Sequence, residues 1–343
     1  DLLTPEQRRI ARKGILEKGI EAGFEHSFVN NAVPSHTSNH IAWEMAAPGV
    51  AMLAVLPDME ADPEHGTPPG LLLAGMAEKV FAHIEAAMMP DGAWAEEYSY
   101  QRYAFEAIMP FLRALNLTGG VQGIIQHYGL DRSYLYPAYT RTGEGELLAM
   151  GDSYDRVDKT PAAFGWMAQQ NNDPLLTWFS QLIPISSWFG LITGPGEGDA
   201  LSPAEAKLPD SRIFPGKGNV VFRTGWEDDD LVLNLRAGPH CNHNQFDQGN
   251  FRLWAGGTEL ISEAGKTPYY DDPYYWSYFI QPIGHNTILV DNNPESQYAA
   301  DHDRRFGRPT DRGRSLVAVG DRRTLGKRPS GSPDPPRRVR PGR

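Results

Sequence analysis

The chain has 343 residues, of which 43 are acidic and 32 basic, for a net charge of −11, and 40% are hydrophobic. That is enough apolar material for the core of one large or two medium globular domains, and no apolar run reaches membrane-spanning length, so no membrane partner is expected. The lone cysteine, Cys241, excludes an internal disulfide framework and reads as a small buried thiol rather than a nucleophile.

Asp1 opens the chain with neither a methionine nor the charged, apolar and small-residue sections of a signal peptide, so a processed or truncated piece is expected. Residues 1–200 read as helices. Thr4 and Gln7 spell a capping box with Pro5 at the first helical position, ahead of an apolar face of Ile10, Ile15, Leu16 and Ile20. Leu72, Met76, Val80, Ile84 and Met88 recur at four-residue spacing, as do Tyr103, Ala107, Phe111 and Leu115, and both stripes read as core. Pro57, Pro63, Pro68, Pro90 and the pair Asp91-Gly92 punctuate the loops between them.

Two helical-region stretches carry polar groups suited to chemistry. In N-N-A-V-P-S-H-T-S-N-H-I-A-W-E, Asn39 and His40 precede a helix expected from about Ile41, and Asn39 has the residue type of an N-cap. In D-G-A-W-A-E-E-Y-S-Y-Q-R-Y, from Asp91 to Tyr103, an aromatic run lies beside Arg102 and an Asp-Gly turn; such a run serves packing or, at a cleft rim, proton transfer.

Residues 201–211 read as a linker, after which the apolar period falls to two. Strands are expected at 219–223, 230–236, 249–254, 258–262 and 286–290, within an antiparallel domain spanning 212–302. Between two of these strands lies G-P-H-C-N-H-N-Q-F-D-Q-G-N-F, Gly238 to Phe251, which is either a polar loop with capping asparagines or the seat of a strand-borne catalytic histidine. Residues 303–343 hold about 13 basic and 4 acidic side chains with much proline and glycine, and read as a disordered tail. No folded recognition module accompanies that tail, so nucleic acid is not an expected partner.

The run H-N-Q-F-D-Q-G-N-F, followed by G-G-T-E-L-I-S-E-A-G and G-H-N-T-I-L-V-D, resembles the β-domain signature of the heparinase II/III-like polysaccharide lyases, which include heparin/heparan and alginate lyases. The resemblance covers about residues 210 to 297 and departs from the family pattern at Gln245, where a second histidine is usual, and at Glu263, where an aspartate is usual. It implies an α+β multidomain architecture, an incomplete α/α toroid followed by an antiparallel β-sandwich, although the helical pattern alone also allows an irregular bundle. It further implies a periplasmic or secreted enzyme acting on an anionic uronate polysaccharide or oligosaccharide by β-elimination.

Residue by residue, the resemblance places Asn39 and His40 at the substrate carboxylate, Glu96 and Tyr103 at substrate-binding places and Tyr100 at the catalytic tyrosine, with Tyr98 as its competitor. His243 is then a second proton-transfer group, and Arg102 and His240 are substrate contacts. Gln245, Glu263 and His285 fall where some relatives hold a structural zinc; glutamine is an uncommon zinc ligand, so zinc binding is expected to be weak or absent and no cofactor is expected to be required. An acidic chain acting on an anionic polymer needs a locally positive cleft, for which His40, Arg102, Arg132, Arg141, His240 and His243 are available. Two other readings stand beside the lyase: a glycoside hydrolase using carboxylates among Asp91, Glu96, Glu97 and Asp152, and a non-catalytic glycan-binding protein.

Overall fold

The computed structural model describes residues 3–26, 38–59, 69–119, 123–143, 145–153, 156, 163–185, 187–267, 272–294 and 296–297. The basic tail at 303–343, Pro63 and Pro68 lie outside the described residues. Helix α1 (Pro5–Ile15) begins as expected: Gln7 N–H donates to Thr4 Oγ1 at 3.2 Å and Thr4 N–H donates to Gln7 Oε1 at 2.8 Å, satisfying two orphan donors of the first turn. A π-turn (Leu16–Ile20) leads into α2 (Glu21–Phe24), and a second (Ala42–Ala46) leads into α3 (Ala47–Met59). Then come α4 (Pro69–Ala87), α5 (Tyr98–Leu117), α6 (Ile124–His127), α7 (Leu135–Thr140), α8 (Ala163–Asn171), α9 (Pro174–Gln181) and α10 (Trp188–Thr193).

The stripe read on α4 is core throughout, with Leu72, Met76, Val80, Ile84 and Met88 all buried. On α5, Ala107, Phe111 and Leu115 are buried, whereas Tyr103 is 44% exposed and packs on Trp43 at the surface instead. Leu16 and Ile20 reach the core, but Ile10 and Ile15 do not, because α1 lies at the edge of the helical body with only its C-terminal continuation covered. Pro57, read as a loop breaker, lies instead inside the last turn of α3, where its missing N–H leaves the Leu53 carbonyl without that helical bond.

Five strands follow: β1 (Arg212–Phe214), β2 (Asn219–Arg223), β3 (Val232–Arg236), β4 (Asn250–Ala255) and β5 (Thr258–Ile261), forming one antiparallel meander in sequence order. The protein is therefore α+β, with helices first and an antiparallel sheet after them. The expected strands are present except at 286–290. There Asn286 N–H donates to Asn250 Oδ1 at 3.0 Å, and Asn286 Nδ2 reaches Phe251 O and Ser262 O at 3.0 and 2.7 Å, so the segment is clipped by side-chain bonds across the ends of β4 and β5. Ile288 and Val290 are left 81% and 58% exposed. A single sheet, not the pair of a sandwich, is formed by the described residues.

The sheet docks on the helical body through its polar face. Asn219, Arg223, Asn234, Arg236, Asn250 and Arg252 are buried, along with Val221, Val232 and Trp254, while the apolar alternates include Phe222 at 48% and Ile213 at 64% exposure. Burying amides and guanidinia is tolerable only when they are bonded. Asn234 Nδ2 donates to Leu148 O at 2.6 Å, Arg252 Nη1 donates to Ala149 O at 2.9 Å, and Arg223 Nη1 donates to Tyr139 O and Arg141 O at 2.9 and 2.8 Å. These bonds tie the sheet to the segment 139–149, and they fix where the loops at the sheet's end meet α5.

Candidate active site

The loop from Met88 to Glu97 joins α4 to α5 and is closed by backbone bonds of Met89 N–H to Ala93 O and of Ala95 N–H to Ala87 O, both 2.8 Å. Asp91, in the Asp-Gly turn, accepts from Ala93 N–H at 3.0 Å and from Gly216 N–H at 2.6 Å, so it pins this loop to the sheet domain rather than facing a ligand. Glu97 is held at φ 78°, a left-handed backbone that costs energy for a residue with a side chain. Its carboxylate offsets that cost by pairing with Lys217 Nζ at 2.6 Å, and Arg236 stands 4.0 Å away and 3.1 Å from Asp247. The two acids and two bases are fully buried and mutually neutralising, and they join the start of α5 to the sheet.

His243 lies in the excursion between β3 and β4, not on a strand. Its backbone is left-handed at φ 62°, inside a turn closed by Asn244 N–H to Cys241 O at 3.1 Å and Cys241 N–H to Asn244 Oδ1 at 2.8 Å. The turn is held from outside by Asp152 N–H, which donates to His243 O at 2.9 Å. Gly151 makes that approach possible, since a Cβ there would sit 2.8 Å from His243 O and its own φ is +66°.

Around the imidazole four segments converge. The Tyr100 ring, from the first turn of α5, stacks on it with centroids 3.5 Å apart and planes within 8°. Asn39 Nδ2 lies 3.4 Å from His243 Nε2 and also donates to Glu96 Oε1 at 3.2 Å. On the other ring nitrogen, Nδ1 is 3.4 Å from Asp152 Oδ2, whose carboxylate accepts further bonds from Gln245 Nε2 at 2.9 Å and Tyr275 OH at 3.2 Å. A carboxylate at Nδ1 and an amide donor at Nε2 select the tautomer with the proton on Nδ1 and a lone pair on Nε2. Burial lowers the pKa of His243, against the opposing pull of Asp152, which favours this neutral form.

Asn39 does not cap its helix with its side chain. Ser38 Oγ accepts from His40 N–H at 3.4 Å instead, and both the Asn39 N–H and its amide turn to Glu96. Glu96 is fully buried, and desolvation raises its pKa to about 7 despite donated bonds from Asn242 and Asn39. Its folded pKa thus lies above the ordinary glutamate value of 4.5, so its contribution to stability is complete below that value and is lost as pH rises through about 7. Between about pH 5 and about pH 8 the wild type should lose about 3 kcal/mol more than Glu96→Gln, as read from denaturant midpoints at the two pH values. Equal losses in both proteins would mean that Glu96 does not retain its proton.

The remaining expected residues lie around or outside this group. His40 is exposed, with Nδ1 4.0 Å from Glu44 Oε1. Arg102 pairs with Glu106 at 3.4 Å along α5, and the cation set over the Tyr100 ring is Lys266, 5.4 Å from its centroid. Tyr103 stacks on Trp43 at 5.2 Å and accepts its indole N–H through the backbone, while the competitor Tyr98 is fully buried. His240 stacks on Phe246 at 5.4 Å. Gln245 Nε2 donates to Asp152 Oδ1 at 2.9 Å and to Gly265 O at 3.4 Å, while Glu263 and His285 hydrogen-bond each other. Burial disfavours charge on His285, but Glu263 outweighs it and raises the pKa. Among the described residues, no group of three His, Cys, Asp or Glu is arranged to hold a metal ion.

Asp152, Asn242, Lys266 and Tyr275 complete the site, and of these the sequence offers only Asp152 as a candidate, as a hydrolase carboxylate. Residues 206–323 match the family model described as Heparinase II/III-like, C-terminal. Over 200 residues the chain is 26% identical to a heparin-sulfate lyase of Bacteroides stercoris and 24% identical to one of Pedobacter heparinus, in each case covering 55% of this chain and 28% of the relative. Among solved structures it is similar to heparinase III (TM-score 0.56, 16% identity, 73% of this chain and 39% of that one) and to heparan sulfate lyase HepC from Pedobacter heparinus (0.54, 19%, 77% and 39%). The chain thus spans well under half the length of these relatives. The β3–β4 histidine loop thus lies in the part of the chain that matches the heparinase II/III-like C-terminal domain.

Proposed function

We propose that the chain is a polysaccharide lyase that cleaves a uronic-acid-containing polysaccharide, of glycosaminoglycan type, by β-elimination and leaves a 4,5-unsaturated uronate end. The observation that carries this reading is the convergence of Tyr100, His243 and Asn39 from segments far apart in sequence. The similarity to heparin-sulfate lyases supports the substrate class, and helices preceding the sheet suit an arc of an α/α toroid.

The C5 proton of a uronate is weakly acidic because its removal adds charge beside a carboxylate. Asn39 donates a hydrogen bond to that carboxylate with the amide hydrogen it otherwise gives to His243 Nε2, and Glu96, with a pKa near 7, supplies a proton between the two acids where two anions would repel. Neutral His243, with its Nε2 lone pair, and the Tyr100 phenol are the two proton-transfer groups. One takes the C5 proton as the C4–O4 bond breaks, and the departing O4 is protonated by the other or by Tyr100 itself. Lys266 places its ammonium 5.4 Å over the Tyr100 ring, a positive charge beside the developing anion of the reaction.

A hydrolase would need two carboxylates flanking the scissile bond. Asp91, Glu97 and Asp152 are each committed to backbone, lysine or histidine partners, which leaves Glu96 without a second acid. Incubation with a panel of uronic polymers should give rising ultraviolet absorbance from the new double bond on at least one of them, and none with His243→Gln. Cleavage without absorbance would indicate hydrolysis, and saturable binding without cleavage would indicate a glycan-binding protein.

A further inference from the structure

A cavity of about 330 Å³ lies where the end of α7 and helix α9 meet the turn after β2, and it shares no lining residue with the Tyr100 and His243 group. Its walls include Arg141, Arg223, Trp178, Trp226 and Glu227. Arg223 is held firmly: Nε donates to Gly225 O at 3.0 Å, Nη1 donates to the carbonyls of Tyr139 and Arg141, and the guanidinium lies 4.5 Å over the Trp226 ring. Arg141 is partly buried beside it, and its guanidinium makes no hydrogen bond within the described residues. Neither arginine has a carboxylate oxygen of a described residue within 4.0 Å; Asp228 acts on Arg141, and Asp230 and Asp210 on Arg223, only at longer range. Burial and the mutual repulsion of the two cations depress the Arg223 pKa to about 10. The Trp226 indole N–H is buried without an acceptor.

A desolvated guanidinium fixed by backbone carbonyls beside a second, partly buried one is costly unless an anion joins them. A guanidinium presents paired donors to a carboxylate or sulfate, indole faces take the C–H face of a sugar ring, and a carboxylate such as Glu227 accepts sugar hydroxyls. The volume is at the small end of ligand sites, which suits one sugar unit better than a threaded polymer. We infer that this cavity is a second saccharide site, binding one anionic sugar unit with its carboxylate or sulfate on Arg141 and its ring against Trp178 and Trp226. The choice of a sugar over a simple anion rests on the lyase reading.

The test uses the full chain with glucuronic acid, N-acetylglucosamine 6-sulfate, neutral N-acetylglucosamine and inorganic sulfate as separate probes, following the Trp226 indole N–H resonance and binding heat. At least one charged sugar should shift that resonance saturably, and the pattern across the first two probes distinguishes carboxylate from sulfate. Arg141→Gln should weaken binding about tenfold or more, Arg141→Lys should recover part of it, and His243→Gln should leave it unchanged. The site is refuted if neither charged sugar moves the resonance up to about 10 mM, if Arg141→Gln and Trp178→Ala bind like wild type, or if inorganic sulfate binds as tightly as the sugars. Because the readout does not require turnover, binding here without lyase activity sinks only the lyase reading, whereas lyase activity without binding here sinks only this site.

Discussion

Lys217→Met is expected to destabilise the protein by about 3–5 kcal/mol, the typical consequence of removing one partner from a buried ion pair. Lys217 is 3% exposed, its ammonium is 2.6 Å from Glu97, and methionine fills a similar volume without charge. What remains is a buried carboxylate with Arg236 4.0 Å away, already engaged by Asp247. Glu97 also sits at a left-handed φ of 78°, so loosening its side chain releases the backbone that starts α5 and aims Tyr100. By contrast Lys13→Ala, which removes an exposed partner of Glu17 at 3.5 Å, should leave stability unchanged within error. Urea denaturation of the two variants decides the matter. If Lys217→Met matches wild type, Glu97 is protonated in the folded protein and the network is not ionic, as burial alone would make it.

Tyr100→Phe should lower turnover by about 10²-fold or more while leaving folding and substrate affinity nearly intact, because it deletes the hydroxyl proposed to transfer the proton and keeps the ring that stacks on His243. Its two neighbours provide internal controls. Tyr98 is buried in the core and Tyr103 lies on Trp43 at the surface, so Tyr98→Phe should alter stability more than turnover and Tyr103→Phe should alter neither strongly. Loss confined to Tyr98→Phe or Tyr103→Phe would shift the catalytic role to another tyrosine. Full activity of all three variants would remove tyrosine from the mechanism.

The sequence made the residue types at the site visible and misjudged much of what holds them. Asn39, Glu96 and Tyr100 could be named because the resemblance supplies a register for their polar and aromatic runs, and His243 because it stands in a polar cluster between two apolar alternating runs. Asp152 lies in a loop without periodicity, and only the close approach allowed by Gly151 gives it His243 as a partner. Lys266 and Tyr275 reach the site from beyond β5, a placement that no local pattern records. The strands show a different failure. Leu233, Leu235, Phe251 and Leu253 mark the strands by their two-residue period, yet the body is met by the alternates Asn234, Arg236, Asn250 and Arg252. Those buried polar side chains find carbonyl and carboxylate partners that only tertiary structure supplies. The same dependence on distant partners explains Asn39, whose residue type suits a cap but whose amide is drawn to the buried Glu96.

The central claim is that this site breaks a C4–O4 bond by removing the C5 proton. Proton NMR of the products from a heparan-type oligosaccharide tests it directly. The account predicts loss of the C5 proton signal at the cleaved uronate together with a new vinyl H4 resonance, both absent with Tyr100→Phe. A new reducing end on a saturated uronate that keeps its C5 proton would contradict it.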